Sequence, residues 1–547
     1  MTQTRRLLTV VATALVPLVV LGVFFVLPVS GMVGRGLLPG GHLDVGGVLD
    51  VLTRPEIRRA IWFTVWTSTL ATLLACALGL PAAYVLHRVA IPGRTWLRAV
   101  LVVPFVLPTV VVGVAFQLLI GSGGPLAFLG LDGSPVAIVA GLVFFNASVV
   151  IRVVGGAWES LDPRPAEAAA ALGASPRQVL RDVTLPSLRP AAVSAATVVF
   201  LFCATAFGIV LTLGGLRYSS VETQIYLLTT NLLDLQGAAA LSILQLLVVT
   251  VLLLAAARAR RTPDAVVARS RARLRRPTGA DAPALGATVL LLLLVAGPLA
   301  SLVVASLRVD GAWSLANYTA LQTPGSHQAL LVPVTEAVVN SLRIAVDATW
   351  MSLLLGLAVA VVVTRRSHSR SERRLRSVLD GLFMLPLGVS AVTLGFGFLI
   401  TLGRPPLELR DSPLLIPIAQ ALVALPLVVR VLVPVLAGVD DRLRQAAATL
   451  GASPTRAWLA VDLPAIWKPL LAAAGFAFAC SLGEFGATSF LVRDDRPTLP
   501  VVIFRLIGHP GDLNYGMALA GSVVLGTTTA VVMLVVERLR VSSVGTF

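Results

Sequence analysis

One segment of this chain occurs twice, and it constrains the fold more than anything else. Residues 167–176 read EAAAALGASP and residues 445–454 read QAAATLGASP. Each copy closes on a Leu-Pro pair, Leu185-Pro186 and Leu463-Pro464. Gly173 and Gly451 lie 278 residues apart, and so do Pro186 and Pro464, so the copies keep register without a gap. A long repeat in register divides a chain into two related halves, each carrying one copy of the same device.

The residues specify that device. Asp162-Pro163 opens a helix, because Asp caps free N–H groups and Pro tolerates the first helical position. The alanine run from Ala168 to Ala171 favours helix, and its small side chains leave a flat face for another surface. Gly173 ends the helix in the left-handed conformation that glycine accepts. Ser175-Pro176 opens a second helix, with Gln178 placed for a capping box, and Leu185-Pro186 is expected to end it. The prediction is an exposed helix–turn–helix in each half.

Composition sets the surroundings. The 547 residues are 56% hydrophobic and 13% charged, as in a polytopic membrane protein. A helical span needs about 20 apolar residues. Twelve candidates appear, near 7–29, 60–86, 97–120, 135–157, 188–213 and 238–257, then near 284–306, 338–364, 378–402, 412–437, 469–492 and 514–536. The run after Arg5-Arg6 is long for a signal peptide and is taken as an uncleaved first span. With the N-terminus inside, 29 Lys and Arg fall in inner segments and 11 in outer ones. The positive-inside rule therefore places both termini and both repeated loops in the cytoplasm.

Three divisions follow: a first half over 1–257 with its loop at 158–187, a basic cytoplasmic linker over 258–283, and a second half over 284–547 with its loop at 438–468. The net charge of +16 lies mostly in short loops between spans. It is read as topology and attraction to anionic lipid, not as a nucleic-acid surface. Matches beyond the loops, such as Gly79 with Gly356 and Leu107-Pro108 with Leu385-Pro386, make the halves parallel repeats.

Motifs for chemistry are missing. A phosphate-binding loop needs a lysine at a fixed place, and the single lysine, Lys468, sits before a proline instead. There is no nucleophile elbow, zinc helix or C-x-x-C, so no enzyme activity, cofactor or resident metal is expected. Few charges lie within spans, where each needs a reason. Arg343 and Asp347 stand four apart on one helix and can pair. Glu484, between Gly483 and Gly486, has no evident partner in sequence. It is a candidate for a pathway residue or for a hydrogen bond to a neighbouring helix. Its counterpart in the first half is Ala206.

The repeated segment resembles the EAA loop of ABC importer permeases: Glu-Ala-Ala, Gly173, nine residues, then Val183-Thr184-Leu185-Pro186. The second copy departs from it in having Gln445 for the glutamate. The resemblance implies an all-α, type I (MetI-like) permease fold of about twelve helices in two tandem parallel repeats, in the plasma membrane of a prokaryote. It implies two copies of an ATPase subunit docked on Glu167, Ala168, Ala169 and Gly173 and on Gln445, Ala446, Ala447 and Gly451. It also implies an extracytoplasmic solute-binding protein. The stretch Ser481 to Thr488 with Arg496 to Pro500 is similar to fused permeases for ferric iron and for thiamine. Ferric iron is the first expectation for the solute and thiamine the second. A twelve-span secondary transporter is the rival class, opposed by the repeated loop and by the scarcity of intramembrane ionisable groups.

Overall fold

The computed structural model of the chain describes residues 11, 14–215, 217–259, 274–365, 369–403, 405 and 407–539. Arg5-Arg6, linker residues 260–273 and Arg540 lie outside the described residues.

The principal helices, in chain order, are α1 (Ala14–Leu37), α2 (Pro55–Arg88), α3 (Arg94–Val102), α4 (Thr109–Ile120), α5 (Pro135–Glu159), α6 (Arg164–Ala171), α7 (Pro176–Ala204), α8 (Gly208–Gly214), α9 (Val221–Thr230) and α10 (Leu235–Leu254). The second half continues with α11 (Gly279–Ser306), α12 (Val334–Thr364), α13 (Arg370–Phe383), α14 (Ala391–Thr401), α15 (Leu415–Ala437), α16 (Asp441–Thr449), α17 (Thr455–Leu482), α18 (Thr488–Leu491), α19 (Leu499–Gly508) and α20 (Asp512–Val536). Among the described residues ten helices are long and apolar enough to cross a membrane, or eleven if the bent pair α3–α4 counts as one span.

The departures from twelve unbroken spans fall at equivalent places in the two halves. The predicted span 97–120 turns by 108° between α3 and α4, where Pro104 and Pro108 each lack the N–H a helix needs. The predicted span 378–402 breaks at the equivalent place, after Leu385-Pro386, and restarts where Ser390 Oγ accepts the Thr393 N–H at 3.0 Å. The predicted spans 188–213 and 469–492 also break, at Thr205 to Phe207 and at Gly483 to Ala487.

Compact units and sequence halves divide the chain differently. Among the described residues, one unit gathers those up to 51, those of 225–246 and those of 309–539; the other gathers those of 52–224 and 247–308. In the first unit α1 packs along α14, with Phe24 and Phe398 ring centroids 6.3 Å apart and Pro28 against Gly397. In the second, α11 packs on α2 and α4. Each half therefore supplies its first span to the unit that holds most of the other half.

Within each unit the central helix pair meets in the same way. A side chain added at Gly79 of α2 would lie 2.8 Å from Val150 of α5, and one at Gly356 of α12 would lie 2.5 Å from Val428 of α15. Small residues allow such close approach of apolar helices, where packing rather than solvent exclusion drives association. The described end of the linker is folded onto the second unit. The Arg275 N–H donates to the Arg88 carbonyl at 3.0 Å, and the Arg275 carbonyl accepts from Ala90 at 2.8 Å. Asp281, 3% exposed, accepts the Thr278 N–H and the Tyr84 hydroxyl, both at 2.8 Å, and pairs with Arg275.

Candidate functional site

The two repeated loops adopt one geometry. Asp162 Oδ1 accepts the Arg164 N–H at 3.0 Å and starts α6; Asp440 Oδ1 accepts the Arg442 N–H at 2.9 Å and starts α16. Glu167 and Ala168 are exposed on α6 and Ala169 is half-buried; Gln445, Ala446 and Ala447 repeat that pattern on α16. Gly173 follows with φ +86° and Gly451 with φ +80°. No atom lies within 4 Å of a side chain added at either glycine, so only the backbone conformation excludes other residues there. The Ser175–Gln178 capping box forms as expected, at 2.8 and 3.4 Å. In the second loop Arg456 replaces Gln178, and only the Ser453 side of the box remains, at 3.3 Å.

Leu185-Pro186 does not end the second helix as the sequence led us to expect. A five-residue π turn over Leu180–Thr184 precedes it, and the Leu185 N–H reaches back to Leu180. The helix then continues to Ala204. Trp458–Asp462 does the same before Pro464. A π turn shifts the hydrogen-bond ladder by one residue, which absorbs the N–H that proline lacks. Each loop is thus joined to a spanning helix without a hinge at the proline.

Two features were missed from sequence. Leu172 is 90% exposed and Leu450 is 88% exposed, each immediately before the loop glycine. The two loops thus share this exposed leucine at equivalent positions. No local signal marked it: three residues after half-buried Ala169 and Ala447, each leucine falls in register with the half-buried face of its short helix. The second feature is an ion-pair cluster confined to the second loop. Arg444 of α16 donates through Nε (2.9 Å) and Nη2 (2.5 Å) to Asp462 Oδ1, and through Nη1 to Asp441 Oδ1 at 2.5 Å. Asp462 is 4% exposed, and its hydrogen bonds hold the Arg444 guanidinium above its ordinary pKa.

Glu484 lies in the break between α17 and α18 and is 7% exposed. Its carboxylate accepts the Ala487 N–H at 2.7 Å and the Thr488 N–H at 3.0 Å, together with the Thr488 hydroxyl. Thr488 Oγ1 in turn accepts from Gln420 Nε2 of α15 at 3.1 Å. The partners that the sequence did not reveal are therefore backbone groups three and four residues ahead. Backbone donors freed by a break within a membrane must find acceptors in the protein, and Glu484 supplies one. Ala206, Val210 and Leu142 occupy the corresponding positions in the first half, so that network has no twin. The expected pairing of Arg343 with Asp347 does not form; Asp347 Oδ1 accepts the Trp350 indole N–H at 3.2 Å.

Comparison with known proteins agrees with the repeat. The model of the family described as binding-protein-dependent transport system inner membrane component matches residues 75–262 and again residues 352–541. The chain is 26% identical to the thiamine transport system permease protein ThiP of Brucella abortus (strain 2308), over 92% of this chain and 91% of that protein. It is 27% identical to ThiP of Escherichia coli (strain K12), over 82% and 83% respectively. The molybdenum transport system permease protein ModB of Haemophilus influenzae is 34% identical over 31% of this chain and 79% of its own length, so that relative matches a single half. With two family matches, two copies of one loop geometry and a helical, apolar fold, the chain belongs to the binding-protein-dependent transport system inner membrane components, as a multi-pass permease subunit of an ABC importer whose ATP is hydrolysed by a separate subunit.

Proposed function

We propose that this permease moves thiamine. The observation that carries the reading is end-to-end similarity: the fused thiamine permeases align with nine-tenths of this chain, across both halves. The ferric iron expected first from the sequence gives way to thiamine on that ground. In this reading an extracytoplasmic binding protein delivers the solute, and two ATPase subunits dock on the loops carrying Glu167 to Gly173 and Gln445 to Gly451. The exposed Leu172 and Leu450 supply apolar contact at those docking points, and closure of the ATPase pair draws the loops together to open the pathway outward. In this reading both termini face the cytoplasm, which the excess of basic residues in the inner segments supports, and the basic linker lies against anionic lipid. The two matched family regions support the division into a first half, a linker and a second half. For Glu484, the three accepted hydrogen bonds favour the structural tie over a group free to meet the solute.

The test is uptake in a thiamine auxotroph that lacks its own importer. This chain is expressed with its ATPase and binding protein, and labelled thiamine is compared with labelled ferric iron. Growth on low thiamine with saturable thiamine uptake is the expected result. Iron uptake without thiamine uptake would overturn the assignment.

A further inference from the structure

The two loops share a backbone but differ in how they are anchored. In the second, Arg444 ties α16 to the π turn in the first turns of α17, through Asp462, and its guanidinium is held in place by Asp441. The equivalents of Arg444 and Asp462 in the first loop are Ala166 and Thr184, and Pro163 replaces Asp441. No ion pair can form there. The one acidic group in the first π turn, Asp182, pairs with its neighbour Arg181 at 2.8 Å, and both are exposed. That pair stays within one turn and ties nothing to α6. An exposed pair of this kind contributes little, whereas removing Arg444 would leave the buried Asp462 carboxylate uncompensated.

We propose that Arg444 and Asp462 are positioning residues for coupling: they make the second loop a stiff lever, while the first loop is compliant and turns about Gly173. Force delivered at α16 passes into α17 with little loss. Force delivered at α6 is partly absorbed before it reaches α7. This inference rests on the docking role proposed for the loops.

The experiment uses the full chain purified with its ATPase subunits and reconstituted in lipid. Amide exchange is followed over residues 167–172 and 445–450, and solute moved per ATP hydrolysed is measured with the binding protein present. In the unmodified complex the amides of the second loop should exchange about tenfold more slowly than those of the first. Asp462→Asn should remove that difference and lower solute moved per ATP about threefold or more, with ATPase subunits still bound. The exchanged pair Arg444→Asp with Asp462→Arg should restore both. Installing the clamp in the first loop, Ala166→Arg with Thr184→Asp, should slow exchange there about tenfold, a readout that survives if Asp462→Asn folds poorly. Equal exchange in the two unmodified loops, or an unchanged transport ratio in Asp462→Asn, would overturn the proposal. Gly173→Val and Gly451→Val separate the two levels. If both transport normally, the docking role itself fails; if they lose uptake while Asp462→Asn keeps its ratio, only the clamp fails.

Discussion

The Leu499 N–H donates to Ser341 Oγ at 2.7 Å, across 158 residues of sequence. Leu499 opens α19, and the preceding residue, Thr498, makes no side-chain cap. A hydroxyl on the long helix α12 takes that role instead. The first half repeats the arrangement: the Val221 N–H donates to Thr64 Oγ1 at 2.9 Å, while Thr64 gives its own proton to the Ala60 carbonyl at 2.8 Å. An unsatisfied buried donor costs about 1–3 kcal/mol. Ser341→Ala and Thr64→Ala should therefore each lower the melting temperature of the detergent-purified protein, whereas Ser341→Thr and Thr64→Ser should stay near the unmodified value. Melting temperatures unchanged in both alanine variants would show that water or another group serves these amides.

The loop glycines allow a test of conformation separate from crowding. The space beside Gly173 and Gly451 is open, so a substitution meets only the penalty of positive φ, about 1–2 kcal/mol for most residues and less for Asn. Uptake should fall in the order Gly451→Asn, Gly451→Ala, Gly451→Val, with the same order at Gly173, and all six proteins should reach the membrane at normal levels. Val variants that transport as well as Asn variants would contradict the need for the left-handed turn.

Leu172 and Leu450 separate docking from folding. Both are almost fully exposed, so Leu172→Ser and Leu450→Ser should leave the stability of the isolated permease within about 0.5 kcal/mol. Co-purification with the ATPase should drop in each, and most in the double variant. A lowered melting temperature with intact co-purification would return these leucines to a structural role.

How much of this could be read beforehand depends on the range of the interaction. Gly173, Gly451 and the Ser175–Gln178 box were legible because a turn or a cap is decided by residues within four positions. The repeat fixed which residues correspond, and so foretold that Gly79 and Gly356 would play one part. The helix breaks were harder. Membrane spans tolerate proline, and nothing local distinguishes Pro108 and Pro386, which lie at breaks, from Pro426, which sits inside α15. Pro186 misled in the opposite direction, because a π turn upstream absorbed it. The Arg444–Asp462 pair spans 18 residues and needs the loop to be folded before the two meet. The placement of α1 and α11 depends on contacts hundreds of residues distant, for which an apolar periodicity holds no information.

Glu484 gives the sharpest contrast between roles. Its carboxylate faces three donors, two backbone N–H groups and the Thr488 hydroxyl. Glu484→Gln keeps the shape but turns one oxygen into an NH2 group, which sets donor against donor at Ala487 or Thr488. The Gln variant should therefore lower the melting temperature of the purified protein, by an amount corresponding to about 1–3 kcal/mol. Thr488→Val should do so as well, since it removes the hydroxyl that also accepts from Gln420. If the tie is the whole role, uptake per folded protein should remain near normal in Glu484→Gln at low temperature. A pathway role predicts the reverse: melting unchanged, uptake of a cationic solute reduced, and Glu484→Lys worse than Gln through repulsion in a site of low dielectric. Melting and uptake measured on these three variants at matched expression decide the matter. Loss of uptake in fully folded Glu484→Gln protein would move this residue from the helix break into the pathway.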